Sequence, residues 1–198
     1  MKIDFKKYAI FFIGILLFAT GISFGIKSLL GGDPMSILVV GINNHVSLSL
    51  GTCNLIVAGI EIAVGYILDK KNVTIISLIA VFLGSYTIDL ASFLIPDASN
   101  MIVKIIYMIL GVLLYCFGIS LQQYANIGLG NLDCFIFGLM KAFKVKTYRY
   151  VRWVVEASFI IVGYLLGGVF GIGTIIILCF SGILIETFKK IETNCLDK

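Results

Sequence analysis

Residues 14–23 and 111–120 are two versions of one ten-residue stretch. Gly14-Ile15-Leu16-Leu17-Phe18-Ala19-Thr20-Gly21-Ile22-Ser23 returns as Gly111-Val112-Leu113-Leu114-Tyr115-Cys116-Phe117-Gly118-Ile119-Ser120. Six of the ten positions are identical, and the copies stand 97 residues apart in a chain of 198. A fixed spacing of this kind is the mark of one structural unit used twice, and it constrains the fold more than any local feature. Behind each copy comes a glycine-rich break, then a short apolar run, then two long apolar runs.

The long runs are apolar all round, with no polar face to turn towards water, which is the pattern of a membrane span. Composition agrees: 60% of residues are hydrophobic and 13% are charged, against roughly 25% charged in a soluble domain. The predicted class is an all-α polytopic membrane protein with six transmembrane helices arranged as two inverted three-helix repeats, each with a short re-entrant half-helix. The first repeat takes residues 1–95, with spans at about 8–28, 48–69 and 73–94. The second takes residues 101–190, with spans at about 101–122, 149–167 and 172–188, and residues 191–198 form a cytoplasmic tail. The basic start Lys2/Lys6/Lys7 before an apolar run is similar to a signal peptide. No small-x-small cleavage site follows, and the run recurs at 111–120, so it is read as the first span.

The half-helices are read from their breaks. Leu30-Gly31-Gly32-Asp33-Pro34 stops the first helix, and Asp33 and Pro34 suit the N-cap and first position of the next. That helix, residues 34–43, is ten residues long, or ~15 Å, half of the ~30 Å hydrocarbon core. The second break, Ile127-Gly128-Leu129-Gly130-Asn131-Leu132-Asp133, precedes a matching half-helix at 132–143. Non-helical backbone at membrane depth survives only where protein or a cavity covers it.

Charge then sets the topology. Thirteen of the fifteen Lys and Arg fall into four clusters: Lys2/Lys6/Lys7, Lys70/Lys71, the run from Lys141 to Arg152, and Lys189/Lys190/Lys198. Six spans with re-entrant half-helices put all four on one side, the cytoplasm, together with both chain ends. An odd number of crossings per repeat inverts the second copy relative to the first. The net charge of +4 is thus accounted for by membrane orientation, and no nucleic-acid partner is expected.

Two sets of residues are the functional candidates. Breaks at matching places of inverted halves mark the substrate site of many secondary transporters, because half-helix N-termini offer free N–H groups at membrane depth. This set is Gly31, Gly32, Asp33, Ser36, Gly128, Gly130, Asn131 and Asp133, although the same residues also suit helix capping and chain turning. The second set is the ionisable residues inside the spans, each costing about 2.5–3.5 kcal/mol on the insertion scale and so a candidate for coupling to protons or ions. These are Glu61, Asp89, Glu156 and Glu186. Glu61 has no partner in sequence, Glu156 has Arg152 four residues before it, and Asp89 and Glu186 occupy equivalent places. The lone His45 falls in an outer loop, where a solvated role is expected. The five cysteines show no C-x-x-C spacing, so no metal, disulfide framework or cofactor is expected, and no catalytic constellation points to an enzyme.

At these residues the chain resembles the YczE/YitT-type bacterial integral membrane proteins. The resemblance rests on Leu30-Gly31-Gly32-Asp33-Pro34, on Leu48-Ser49-Leu50-Gly51-Thr52, on Ile88-Asp89, and on Ile127 to Asp133. Arg152 with Glu156, and Gly167-Gly168-Val169-Phe170-Gly171-Ile172-Gly173-Thr174, complete it. Asp33 before the proline and Ile127 in place of leucine depart from the family pattern. The resemblance implies a bacterial cell-membrane location and supports the fold rather than an activity.

The functional expectation is a small secondary transporter or exporter of a small molecule in the lipid bilayer. The alternative is a non-transporting membrane partner or scaffold for another enzyme or transporter. Sidedness of the turn Lys70-Lys71-Asn72 tests the topology. A single cysteine at Asn72 in a cysteine-free background should resist an impermeant thiol reagent in intact cells and react after lysis. Labelling in intact cells would mean that the short helices cross the bilayer and that the repeats are parallel.

Overall fold

The computed structural model of the chain describes residues 5–196. Lys2 and Lys198 of the expected basic clusters, and position 197 of the expected tail, lie outside the described residues. Eight α-helices follow one another: α1 (Phe5–Ser28), α2 (Pro34–Asn43), α3 (Leu50–Leu68), α4 (Ile75–Leu94), α5 (Met101–Ala125), α6 (Asn131–Ala142), α7 (Tyr148–Leu165) and α8 (Ile172–Leu196). A single 3-10 turn, Lys70–Asn72, joins α3 to α4, and no strand occurs among the described residues.

Local chemistry explains the boundaries. Asp33, Ser49, Thr74 and Asn100 each sit in extended backbone and accept a hydrogen bond from the amide three residues on, capping α2, α3, α4 and α5. These caps satisfy donors that a helix start leaves free. Asn126, at φ 50°, turns the chain left-handed and ends α5.

Five helices, α1, α3, α4, α5 and α8, are long and apolar enough to cross a membrane. The sixth expected span is α7, which has 18 residues and carries Arg149, Arg152 and Glu156. Those charges keep it out of the apolar set, and two of them pair with each other: Arg152 Nε donates to Glu156 Oε1 over 2.7 Å. The segment given to a tail is instead helical as far as Leu196. The reason is Glu192, which is buried and accepts a hydrogen bond from Ser120 Oγ, tying the end of α8 to α5.

The interior and exterior reverse the habit of a soluble fold. Ser23, Ser28, Ser77, Ser120 and Thr174 are fully buried, whereas Phe93, Leu165 and Ile75 are among many large apolar side chains that face outwards. Apolar surface on this scale suits lipid.

The two matching decapeptides meet. α1 and α5 pack side by side, with Gly14 against the Gly118 carbonyl and Gly21 against Gly111 and Tyr115. The order of these contacts makes the helices antiparallel. A Cβ on Gly21 would lie 2.5 Å from Tyr115 N and 2.8 Å from Gly111 O, so backbone touches backbone here. Phe18 and Tyr115 stack between the glycines, ring centroids 5.1 Å apart. Around this pair, α4 packs on α1 and α8 on α5. α2 lies against α7 and α6 against α3, while α2 also touches α3 and α6 touches α7.

Contacts sort the connections to two ends of the bundle. At one end Lys27 Nζ pairs with Asp97 at 2.6 Å, and Asn44 Nδ2 donates to the Gly167 carbonyl at 2.9 Å. His45 is exposed there, and its Nε2 lies 3.2 Å from the Leu166 carbonyl, so this histidine holds the turn after α7 as well as meeting solvent. At the other end Lys141 Nζ pairs with Asp69 at 2.8 Å and holds that carboxyl below the usual carboxylate range. Lys71, exposed in the same region, offers a more open labelling position than the half-buried Asn72.

The α1–α5 contact makes a stability prediction. Gly21→Ala should destabilise the protein by about 1–3 kcal/mol, the usual cost of overpacking. Gly59, beside which an added Cβ would meet nothing within 4 Å, should tolerate alanine and gain up to about 1 kcal/mol from helix propensity. Thermal unfolding of both variants in detergent micelles separates the two effects; equal melting temperatures would remove the glycine contact as the determinant.

Candidate functional site

The N-terminal ends of the short helices α2 and α6 meet at one cavity. Asp33 and Met35 from one, and Gly130, Asn131 and Leu132 from the other, line a single cavity of about 90 Å³. Apolar residues of α1 and α4 and the ring of Tyr115 close it. A water needs about 10–15 Å³ of such space, so the cavity has room for several waters, a small cation or a small amine.

The two N-termini are finished differently. On α2 the buried Asp33 caps its own helix: Oδ2 accepts from Ser36 N at 3.2 Å, and Oδ1 accepts from Ser36 Oγ. On α6 the cap residue is Gly130, which supplies no side-chain bond, so the first-turn amides of α6 lack a side-chain acceptor. The carboxylate near this end belongs to another helix. Asn131 Nδ2 donates to Glu61 Oε2 on α3 and lies 3.5 Å from the Met35 sulfur on α2.

Glu61 is 3% exposed, and its Oε1 is buried with no hydrogen-bond partner. An orphaned carboxylate oxygen in a membrane interior is costly unless a proton, a cation or a donor reaches it. Asp133, in the first turn of α6, accepts from the Tyr148 hydroxyl on α7, and Arg152 lies 3.4 Å from the same hydroxyl. A chain of polar contacts therefore runs Asp133, Tyr148, Arg152, Glu156 along the face of α7. The neighbourhood holds Asp33, Glu61, Asp133 and Glu156 against one cation, Arg152, which already pairs with Glu156.

Other candidates from the sequence are placed elsewhere. Ser36 is engaged with Asp33. Gly31, at φ 97°, packs against Gly171 and Thr174 at the start of α8, where a Cβ would strike both at 2.6 Å. Gly32 is buried beside Ser36, and Gly128 packs on Ile76 and Thr74 of α4. Asp89 caps α3 from α4, accepting from Ser49 Oγ and Gly51 N, each at 2.6 Å. Glu186 is exposed, on the wall of a larger opening between α5, α7 and α8. No grouping of three or more His, Cys, Asp or Glu suited to a metal occurs among the described residues.

Sequence reasoning missed Tyr115, Tyr148 and Asn54. Tyr115 had a signal: it stands where the first decapeptide has Phe18, so the repeat gains one hydroxyl at the cavity wall. Asn54, which lines the cavity and donates to Ser85 Oγ at 2.8 Å, had none beyond being an amide inside a span.

The Glu61–Asn131 bond makes a coupled prediction. Asn131→Ala should cost about 1–3 kcal/mol, because it leaves both Glu61 oxygens without a partner. In a Glu61→Leu background the same change should cost at least about 1 kcal/mol less. Additive effects in thermal unfolding of the four proteins would show that the two side chains do not interact.

Comparison with known proteins places this arrangement in a family. Residues 5–190 match the model of a family of unknown function, DUF6198. The chain is 29% identical to the uncharacterized protein YyaS of Bacillus subtilis over 97% of both chains. It is 31% identical to an uncharacterized protein of Haemophilus influenzae, over 90% of this chain and 84% of that one. It is 26% identical to the uncharacterized membrane protein YczE of Bacillus subtilis, over 91% of this chain and 84% of that one. No solved structure matches. The chain belongs to the DUF6198 family and is an integral membrane protein related to YczE, in line with the resemblance read from its motifs.

Proposed function

We propose that this member of the family is a small secondary transporter whose site is the cavity between the N-termini of α2 and α6, with Glu61 coupling it to protons. The observation that carries the reading is Glu61 itself. It is buried, one oxygen is orphaned, and the other is held by the first residue of the opposing half-helix. The surplus of carboxylates selects a positive charge, so the substrate class is a small organic cation or amine, exchanged against a proton. Neutralising Glu61 with either would remove the same electrostatic cost, which is what makes exchange coupling work.

The architecture supports this reading. The antiparallel α1–α5 contact and the exchanged packing, α2 on α7 with α6 on α3, are what an axis in the membrane plane would generate from two inverted repeats. On this reading the end of the bundle bearing Lys71 and Lys141 faces the cytoplasm, as the basic clusters require.

A second reading, a membrane partner for another protein, is favoured by one feature. Lys144, Lys146, Arg149, Tyr150 and Trp153 are all exposed around the start of α7, a combination suited to a headgroup or docking surface.

Thermal unfolding of the purified protein against a panel of small amines, amino acids and quaternary ammonium ions tests the first reading. At least one amine should stabilise the wild type, by about 2.7 kcal/mol at a hundredfold excess over Kd. Glu61→Gln should lose the effect, and the same compound should accumulate in proteoliposomes under an imposed pH gradient. Absence of any Glu61-dependent stabilisation across the panel would end the transport reading in favour of the partner.

A further inference from the structure

The main helix contacts obey the exchanged packing except at one place, and that exception carries the inference. α3 packs along α4, but the equivalent pair, α7 and α8, makes no comparable contact. Between them lies an opening of about 320 Å³ lined by Tyr115, Gln123, Arg152, Glu156, Ser181 and Glu186 among others.

The closed pair is held by three hydrogen bonds. Ser49 Oγ and Gly51 N both donate to Asp89, at 2.6 Å each, and Asn54 Nδ2 donates to Ser85 Oγ at 2.8 Å. Asp89 thereby caps α3 from across the interface. The matches Val64-Gly65-Tyr66 with Val162-Gly163-Tyr164, and Ile88-Asp89 with Ile185-Glu186, give the register of the second pair. In that register Ser49 becomes Thr147, Asp89 becomes Glu186, and Ser85 becomes Gly182.

The equivalent groups are present and disengaged. Thr147 is the N-cap residue of α7, yet no side-chain hydrogen bond caps that helix. Glu186 is exposed and forms no hydrogen bond with a described residue. The small residue that lets the closed pair approach is Gly51 on α3, where a Cβ would lie 2.6 Å from Asp89 Cγ. In the open pair the small residue is on the other helix: Gly182 of α8 faces open space, with nothing within 4 Å of an added Cβ.

We infer that Asp89 and Glu186 are alternate latches, one engaged and one released, and that the chain exchanges these roles between the two helix pairs. In the second state Glu186 caps α7 through Thr147 and the Arg149 amide, α8 closes on α7 over Gly182, and α3 separates from α4. Because the two pairs close at opposite ends of the bundle, the exchange moves access to the central cavity from one side to the other. Tyr115, which lines both the cavity and the present opening, is the partition on the open side. This inference rests on the transport reading for its purpose, although the exchange itself is a property of the fold.

Cross-linking in native membranes, in a cysteine-free background, tests it. The pair Asn54→Cys/Ser85→Cys reports the state seen here, and the pair Trp153→Cys/Gly182→Cys, from the two walls of the opening, reports the other, so that both carboxylates stay in place. Both pairs should join with a short bifunctional thiol reagent. Adding Asp89→Asn to the second pair should raise its yield several-fold, because releasing one latch shifts the population towards the other state. Joining of the first pair without the second, or a second-pair yield indifferent to Asp89→Asn, overturns the latch. If both pairs join but no amine binds in a Glu61-dependent way, the exchange stands and the transport reading falls.

Discussion

Everything in this molecule hangs on the absence of water from the bilayer interior. A backbone amide there has to find its partner within the protein, so chain that is not helical at membrane depth needs cover. On the half-helix reading, the breaks before α2 and α6 are such chain. The first is covered by the turn before α8, where Gly173 N donates to the Leu30 carbonyl at 2.8 Å and Thr174 packs on Gly31. The second is covered by α4, where Ser77 Oγ donates to the Leu129 carbonyl at 2.7 Å. Ser77 and Thr174, both fully buried, stand at the two ends of the bundle, but Ser77 bonds a carbonyl of its break whereas Thr174 Oγ1 is unpartnered and only packs there. The start of a long helix from the other half closes over each break, α8 over the first and α4 over the second.

That arrangement requires the two halves to sit close, and the repeated decapeptide supplies the closeness. Without a hydrophobic force between helices in lipid, association relies on tight packing, and glycines permit it. Gly14, Gly21, Gly111 and Gly118 bring α1 and α5 to backbone contact, which sets the distance between the two breaks and hence the size of the cavity they enclose. Ile22 of α1 and Tyr115 of α5 line that cavity, so widening at Gly21 would enlarge it, while the Asn131–Glu61 bond is held by the separate contact of α3 with α6.

What could be read from sequence follows from how local each signal is. The half-helix α2 was legible from four residues, because glycines, an N-cap aspartate and a proline act within one turn. The spans were legible from hydropathy, except that α7 trades apolar length for the exposed Arg149 and for Arg152 and Glu156, which pair with each other. The end of α8 was not legible, since its order depends on Glu192 reaching Ser120, 72 residues away. The decapeptide was visible as a repetition, but that its two copies touch one another belongs to tertiary structure. Likewise Asp89 reads as a bare intramembrane acid until the start of α3 is brought beside it, and Glu61 reads as solitary until α6 supplies Asn131 from 70 residues on.

On the inverted-repeat reading, the departures from symmetry are where function concentrates. In the register that matches α3 with α7, Glu61 corresponds to Phe159, so only one half carries an acid at that depth. The same half carries Asp33 as the cap of α2, where the second half has Gly130 as the cap of α6. Each half-helix N-terminus thus faces one carboxylate, but by different means: α2 holds its own, close and saturated by Ser36, while α6 takes one from α3 through an amide. A carboxylate capped within its own turn has its oxygens committed. One held by a single amide keeps an oxygen free, and it sits on a helix that the latch exchange would move relative to its neighbour. If α3 separates from α4 when Asp89 releases, Glu61 moves with α3 and its surroundings change with the state of the bundle. A buried acid whose environment alternates is the minimum requirement for coupling a proton to a second cation, and the broken symmetry supplies it at one position only.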